Sequence, residues 1–178
     1  MKYEHWQIPA APEDAIKTLM DAGYPYLVSS VLAARGVTTS EQAAEALERE
    51  KTLAHSPFLM KDMDKAVERI HRAIEGFERI AVYGDYDADG VTATSILFTY
   101  LEAVGADVLY YIPQREGEGY GMNRHAVETL HQEGVKLIIT VDNGISSLEE
   151  VALARELGMD VVITDHHRPH ESLPDAAA

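Results

Sequence analysis

With 178 residues the chain has room for one ordinary domain or slightly more, and a 46% hydrophobic content fits a globular core. The lack of cysteine excludes a disulfide framework and zinc–thiolate sites. No apolar leader core or run of membrane-spanning length occurs, so a cytoplasmic protein that makes no membrane contact is expected. A net charge of −15 argues against a general nucleic-acid-binding surface, which is normally basic.

The first part of the chain reads as helices. PEDAIKTLMDAG has Pro12 at a helix start and Gly23 past its end, and PYLVSSVLAARG is apolar and closes on Gly36. TTSEQAAEALERE sets Thr39 and Gln42 at capping-box spacing. Residues 53–61, with Pro57, read as a linker or brace. DMDKAVERIHRAIEG then repeats Met63, Ala66, Val67, Ile70 and Ile74 at helical intervals. Residues 1–76 are therefore expected to form a helical N-terminal leader.

From Ile80 the rhythm changes. The short apolar runs IAVYG, DVLYYI, KLIITV and DVVIT alternate with three helical stretches. These are VTATSILFTYLEAVG, NRHAVETLHQEG and SSLEEVALARELG, the last with Ser146 and Glu149 at capping-box spacing. Strands apolar throughout belong to a sheet covered on both faces, so the expected class is α/β, a mostly parallel sheet with flanking helices over 77–178. The sequence GDYDADG follows the first strand, DNG the third and DHH the fourth. All three clusters thus fall at the C-terminal ends of parallel strands, the edge where open α/β sheets bind ligands.

This second part also carries most of the charge. Residues 80–178 hold 5 Lys and Arg against 17 Asp and Glu, whereas residues 1–79 hold 10 against 13. Three aspartates, Asp85, Asp87 and Asp89, alternate in GDYDADG, and an extended backbone would turn all three carboxylates to one point. Like charges that close repel unless a cation sits among them, so the stretch asks for a metal. A calcium loop counted from Asp85 fails at its twelfth position, where Ile96 stands in place of a bidentate Glu. DADGVT also resembles the nucleophile loop of haloacid-dehalogenase phosphatases, which would need a downstream Lys and an acidic pair. A helix cap explains one aspartate at most.

Asp142 in TVDNG sits on turn chemistry but on the same sheet edge, where a carboxylate can bridge two metals. In TDHHRPH, adjacent histidines of a strand would alternate faces. The expectation is therefore His166 as a ligand and His167 as a phosphate or proton-transfer contact. Neutral imidazole suits Mn²⁺, Fe or Zn²⁺ better than Mg²⁺ alone. QREGEGYGMNR spaces Gly117, Gly119 and Gly121 alternately beside Arg115 and Arg124. It reads as a backbone cradle for phosphates, with Arg115 and Arg124 neutralising charge and Tyr120 stacking on a base.

GDYDADGVTATSIL, VDNGIS and TDHH, in that order, resemble motifs I, II and III of the DHH phosphoesterase superfamily. HSPFLMKDMDKAVERI before motif I and PQREGEGYG after it are similar to the bacterial single-stranded-DNA-specific exonucleases within it. The resemblance implies a 5′→3′ exonuclease in repair and recombination, with a two-metal site holding Mn²⁺ or Mg²⁺. It implies Asp87, Asp89, Asp142 and His166 as metal ligands, Asp85 and His167 in catalytic roles, and Arg115, Gly119, Tyr120 and Gly121 at the substrate. The implied partners are single-stranded DNA, single-stranded-DNA-binding protein and a C-terminal domain. Members carry a fourth acidic motif and that second domain, whereas this chain stops at ESLPDAAA, with Asp175 too near the end to stand in. It is therefore expected to be an N-terminal part, its DHH domain incomplete and its activity alone weak. The alternatives are a phosphodiesterase acting on cyclic dinucleotides, short oligonucleotides or polyphosphate, and a non-catalytic repair or replication scaffold.

Overall fold

The structure, a computed structural model, describes residues 10–47, 55–114, 117, 119 and 121–178. It divides into two compact units, Met1–Ser56 and Pro57–Ala178. In the first, α1 (Glu13–Asp21), α2 (Tyr26–Ala34) and α3 (Ser40–Leu47) enclose a small core of Ala15, Leu19, Leu32, Ala33 and Ala43. Pro12 and Pro25 precede α1 and α2, where their fixed φ suits helix entry. The expected capping box forms ahead of α3. Gln42 donates its N–H to Thr39 Oγ1 (3.2 Å), and Thr39 donates its own to Gln42 Oε1 (3.3 Å).

The second unit holds α4 (Met63–Glu75), β1 (Arg79–Tyr83), α5 (Ala88–Ala103), β2 (Val108–Tyr111), α6 (Arg124–Gln132), β3 (Val135–Val141), α7 (Leu148–Glu156) and β4 (Asp160–Thr164). All strand pairs are parallel, in the order β2-β1-β3-β4. Alternating side chains of β1 separate two cores. Ile80 and Val82 pack with α4 and α5, while Ala81 and Tyr83 pack with α6 and α7. Winding reverses between the β1–β2 and β2–β3 connections, so the crevice of this sheet opens at the C-terminal ends of β1 and β3.

The compact units meet at Ser56/Pro57, so α4, counted in the expected leader at 1–76, packs within the second unit. The stripe of α4 is visible in the sequence, but its target is the sheet: Ala66, Ile70, Ala73 and Ile74 share the core of Ile80, Leu137 and Val162. The linker reading of 53–61 also shifts, because Pro57–Leu59 forms a 3₁₀ turn that opens the second unit, while 53 and 54 lie outside the described residues.

Arg69 ties α4 to the sheet. Its side chain is 7% exposed and meets Glu78 Oε2 at 2.6 Å and Asp160 Oδ2 at 2.5 Å. Burial works against its charge, but the two carboxylates outweigh this and raise its pKa. Glu78 and Asp160 are 30% and 52% exposed and rehydrate readily, whereas the guanidinium does not. Arg69→Met is therefore expected to cost about 1 kcal/mol or less, and the Glu78→Gln/Asp160→Asn double variant roughly 3 kcal/mol, because it strands a buried cation. Urea midpoints of the two variants compare these costs directly.

The outer edge of β4 is covered by the chain's last residues. Ala177 donates its N–H to Val161 O (2.8 Å) and Ile163 to Ala178 O (3.0 Å). Asp175 pairs with Arg155 of α7. Among the described residues, no helix is long and apolar enough to cross a membrane.

Candidate metal centre

The C-terminal ends of β1, β3 and β4 are laced together by hydrogen bonds. Asn143, fully buried, donates through Nδ2 to Val141 O (3.0 Å) and Tyr83 O (3.3 Å), joining β3 to β1. Asp142 donates its N–H to Thr164 O at 2.9 Å, joining β3 to β4. Its φ of 63° lies in the left-handed region, which Asp tolerates better than most residues. This turn aims a carboxylate only 7% exposed along the sheet edge.

Two groups of potential ligand atoms converge there. Asp85, Asp87 and Asp142 offer atoms within 4.8 Å of one another, as do Asp142, His166 and His167. Asp142 belongs to both. Five of the six residues expected to hold metal or do chemistry are thereby brought together; the sixth, Asp89, stands outside both groups. The extended-backbone picture fails because α5 begins at Ala88. Asp87 becomes its N-cap, with Oδ1 accepting from the N–H groups of Asp89 (2.9 Å) and Gly90 (3.0 Å). Asp89 lies exposed in the first helical turn.

The expected alternation of the histidines fails in the same way. β4 ends at Thr164, so the imidazoles lie beyond the strand, with ring centroids 4.6 Å apart and planes tilted by 40°. His166 Nε2 is 2.8 Å from Asp142 Oδ1. His170 is exposed and belongs to neither group.

Asp165, whose side chain is 2% exposed, has no role assigned from the sequence. Its Oδ2 accepts from the N–H of Ile145 (3.0 Å). Its Oδ1 accepts from the N–H of His167 (3.0 Å) and lies 2.7 Å from His167 Nδ1. Burial disfavours its charge, but the N–H groups of His167 and Ile145 outweigh that and hold the carboxyl below its ordinary range. The His167 pKa is raised, first by the hydrogen bond to Asp165 and, against some desolvation, by the charges of Asp165, Asp142 and Asp87. A partner 20 residues away cannot be read from a local motif; only the DHH run itself hints at Asp165.

The donor set fits a divalent cation. Asp85 is 1% exposed, and its buried Oδ1 has no hydrogen-bond partner among the described residues; neither has Oδ1 of Asn143. A buried carboxylate with an orphaned oxygen, grouped with two further carboxylates, is costly unless a cation satisfies it. Oxygen and imidazole donors together suit Mn²⁺, and the oxygen donors alone suit Mg²⁺.

The glycine loop reaches this centre through one end. Gly117, Gly119 and Gly121 take φ values of 110°, 83° and 81°, which glycine adopts without strain. Gly121 is buried and, with Met122, Gly144, Ser146, Asp165 and His167, borders a cavity of about 220 Å³. Gly119 is exposed, and Arg115 and Tyr120 lie outside the described residues. Arg124 opens α6 and faces Glu128 at 3.8 Å. The capping box expected at Ser146 does not form, because α7 starts at Leu148 with Ser147 as its N-cap, which makes no side-chain cap bond.

Residues 79–178 match the DHH family, N-terminal domain. The chain is 45% identical over 174 residues to the single-stranded-DNA-specific exonuclease RecJ of Bacillus subtilis (strain 168), an alignment of 97% of this chain and 22% of that protein. It thus spans less than a quarter of that relative's length. Among solved structures, exonuclease RecJ bound to manganese superimposes with a TM-score of 0.64 at 42% identity, covering 70% of this chain and 32% of that one. RecJ from Thermus thermophilus in complex with Mn²⁺ gives a TM-score of 0.69 at 31% identity, covering 96% and 24%.

Proposed function

Since the chain belongs to the DHH family, we propose that it forms the N-terminal, metal-binding part of a 5′→3′ exonuclease acting on single-stranded DNA in repair and recombination. The observation that carries this reading is the double membership of Asp142, with carboxylates on one side and imidazoles on the other. The names and bound manganese of the similar proteins support the substrate and the metal. A cytoplasmic location and a single-stranded-DNA-binding protein as partner belong to the same reading, as does a C-terminal domain supplying the basic surface that residues 80–178 lack.

On this reading Asp85, Asp87, Asp142 and His166 are the ligands for Mn²⁺ or Mg²⁺; Asp89, expected among them, is left out because it stands outside both groups. Divalent cations bound there supply Lewis-acid activation of the phosphodiester and of an attacking water. Asp142 joins the two halves of the site, and the buried Asp85 fixes the negative charge that draws cations in. Asp165 engages His167 at Nδ1, so Nε2 is the nitrogen that serves the site, either as a ligand or to hand a proton to the leaving oxygen. The loop around Gly119 and Gly121 would steady the phosphates.

The test is Mn²⁺ titration calorimetry paired with nucleotide release from a 5′-phosphorylated single strand under enzyme excess. Mn²⁺ binding with slow release that EDTA abolishes is the expected result. Because the raised His167 pKa keeps that ring protonated to higher pH, Mn²⁺ affinity should climb as pH rises through the histidine range. A folded chain that binds no Mn²⁺, or that hydrolyses cyclic dinucleotides in preference to single strands, overturns the reading.

A further inference from the structure

Both ends of the loop between β2 and α6 meet at one side chain, Tyr83, the last residue of β1. At the loop's entrance, Tyr111 stacks on Tyr83 with ring centroids 5.2 Å apart and planes 23° from parallel. The backbone supports the same junction, since Gly84 donates its N–H to Tyr111 O at 2.9 Å. At the exit, the Tyr83 hydroxyl donates to Gly121 O (3.1 Å) and accepts from Asn123 Nδ2 (3.3 Å). Asn123 is also the N-cap of α6, its Oδ1 accepting from the N–H of Ala126 at 2.8 Å. Tyr83 is fully buried, and its carbonyl accepts from Nδ2 of Asn143, two residues past β3. Two residues further on stands Asp85 of the metal centre.

We propose that Tyr83 is a positioning residue for substrate: it latches both ends of the loop spanning 112–121 to the strand that presents Asp85. Tyr111 and Gly121 are thereby held to the strand that leads into Asp85. The inference rests on the proposed role of that loop in gripping a single strand. Gly121, at the latched end, borders the cavity next to His167, so loosening the latch moves the substrate side of the site and leaves the ligands in place.

Tyr83→Phe keeps the ring and the stacking but removes the hydroxyl, so the sheet should survive. Amide hydrogen exchange in the 178-residue chain is expected to accelerate about tenfold over 117–123, the scale of one lost buried hydrogen bond, with β1 and β3 unchanged. Affinity for a short 5′-phosphorylated oligothymidylate should fall about fivefold to tenfold, and KM should rise by a similar factor. Mn²⁺ affinity should stay at its wild-type value. Unchanged exchange at 117–123, a loosened loop with unchanged strand affinity, or equal acceleration across the whole sheet would each overturn the latch. Failure of the functional reading looks different, because the wild-type chain itself would then bind no single strand.

Discussion

Asp142→Asn is expected to lower Mn²⁺ affinity roughly a hundredfold and any metal-dependent hydrolysis roughly a thousandfold while leaving the fold intact. Asp142 is the one residue common to both ligand groups, so losing its charge uncouples Asp85 and Asp87 from His166 and His167. Asparagine is the informative substitution because the backbone there has φ 63°, a region Asn enters easily, so the N–H bond to Thr164 O persists. Alanine would add backbone strain of about 1 kcal/mol to the loss of the ligand and blur the result. Calorimetry with Mn²⁺ reads the affinity and a urea transition reads the fold. Retained Mn²⁺ affinity in a folded Asp142→Asn chain would remove the carboxylate from the centre and, with it, the reading of two joined half-sites. Asp89→Asn serves as the comparison. It lies outside both groups, so its effect on affinity should stay within about threefold, through long-range charge alone.

These two aspartates also show where a sequence stops being legible. The four apolar runs, each bounded by turn residues, announce a doubly covered sheet, because a strand buried on both faces has no room for polar alternation. Once the strands are parallel, the switch-point rule sends the motifs after β1, β3 and β4 to one edge whatever their separation along the chain. Direction at the level of single side chains is harder. Alternation holds only while the backbone stays extended, and it ends at Asp87 in one motif and at Thr164 in the other. A helix cap is visible in GDYDADG, since Asp ahead of a helical stretch is a cap by preference, but its consequence for Asp89 needs the helix start itself. Partnerships such as Asp165 with Ile145, Arg69 with Asp160 or Tyr83 with Gly121 depend on tertiary contacts 20, 91 and 38 residues apart. Local pattern holds no record of these. The same limit holds for α4: its amphipathic stripe is readable, and the surface that it covers is not.

Gly90→Ala should reverse the usual sign of a helical glycine substitution. In an exposed helix this exchange stabilises by about 1 kcal/mol, since alanine carries less unfolded-state entropy. Gly90 lies in the first turn of α5, buried against the residue that begins motif I. A Cβ there would stand 2.6 Å from Asp85 O and 2.7 Å from Asp85 Cα and Cβ. Backbone occupies that space, and backbone cannot swing aside as a flexible side chain would. Either α5 moves away from β1, opening the core around Leu101 and Val82, or the Asp85 segment shifts. Each route weakens the metal centre, because the Gly90 N–H also holds Asp87 Oδ1 in its capping position. The expected result is a loss of about 2–3 kcal/mol in the urea transition, in the range of overpacked cores, together with Mn²⁺ affinity lowered at least about tenfold. The paired measurement is decisive. A variant less stable but with full Mn²⁺ affinity would mean that α5 yields and the carboxylates do not depend on the helix start. A variant more stable than the parent would show that the close approach of α5 to Asp85 is not what glycine serves here.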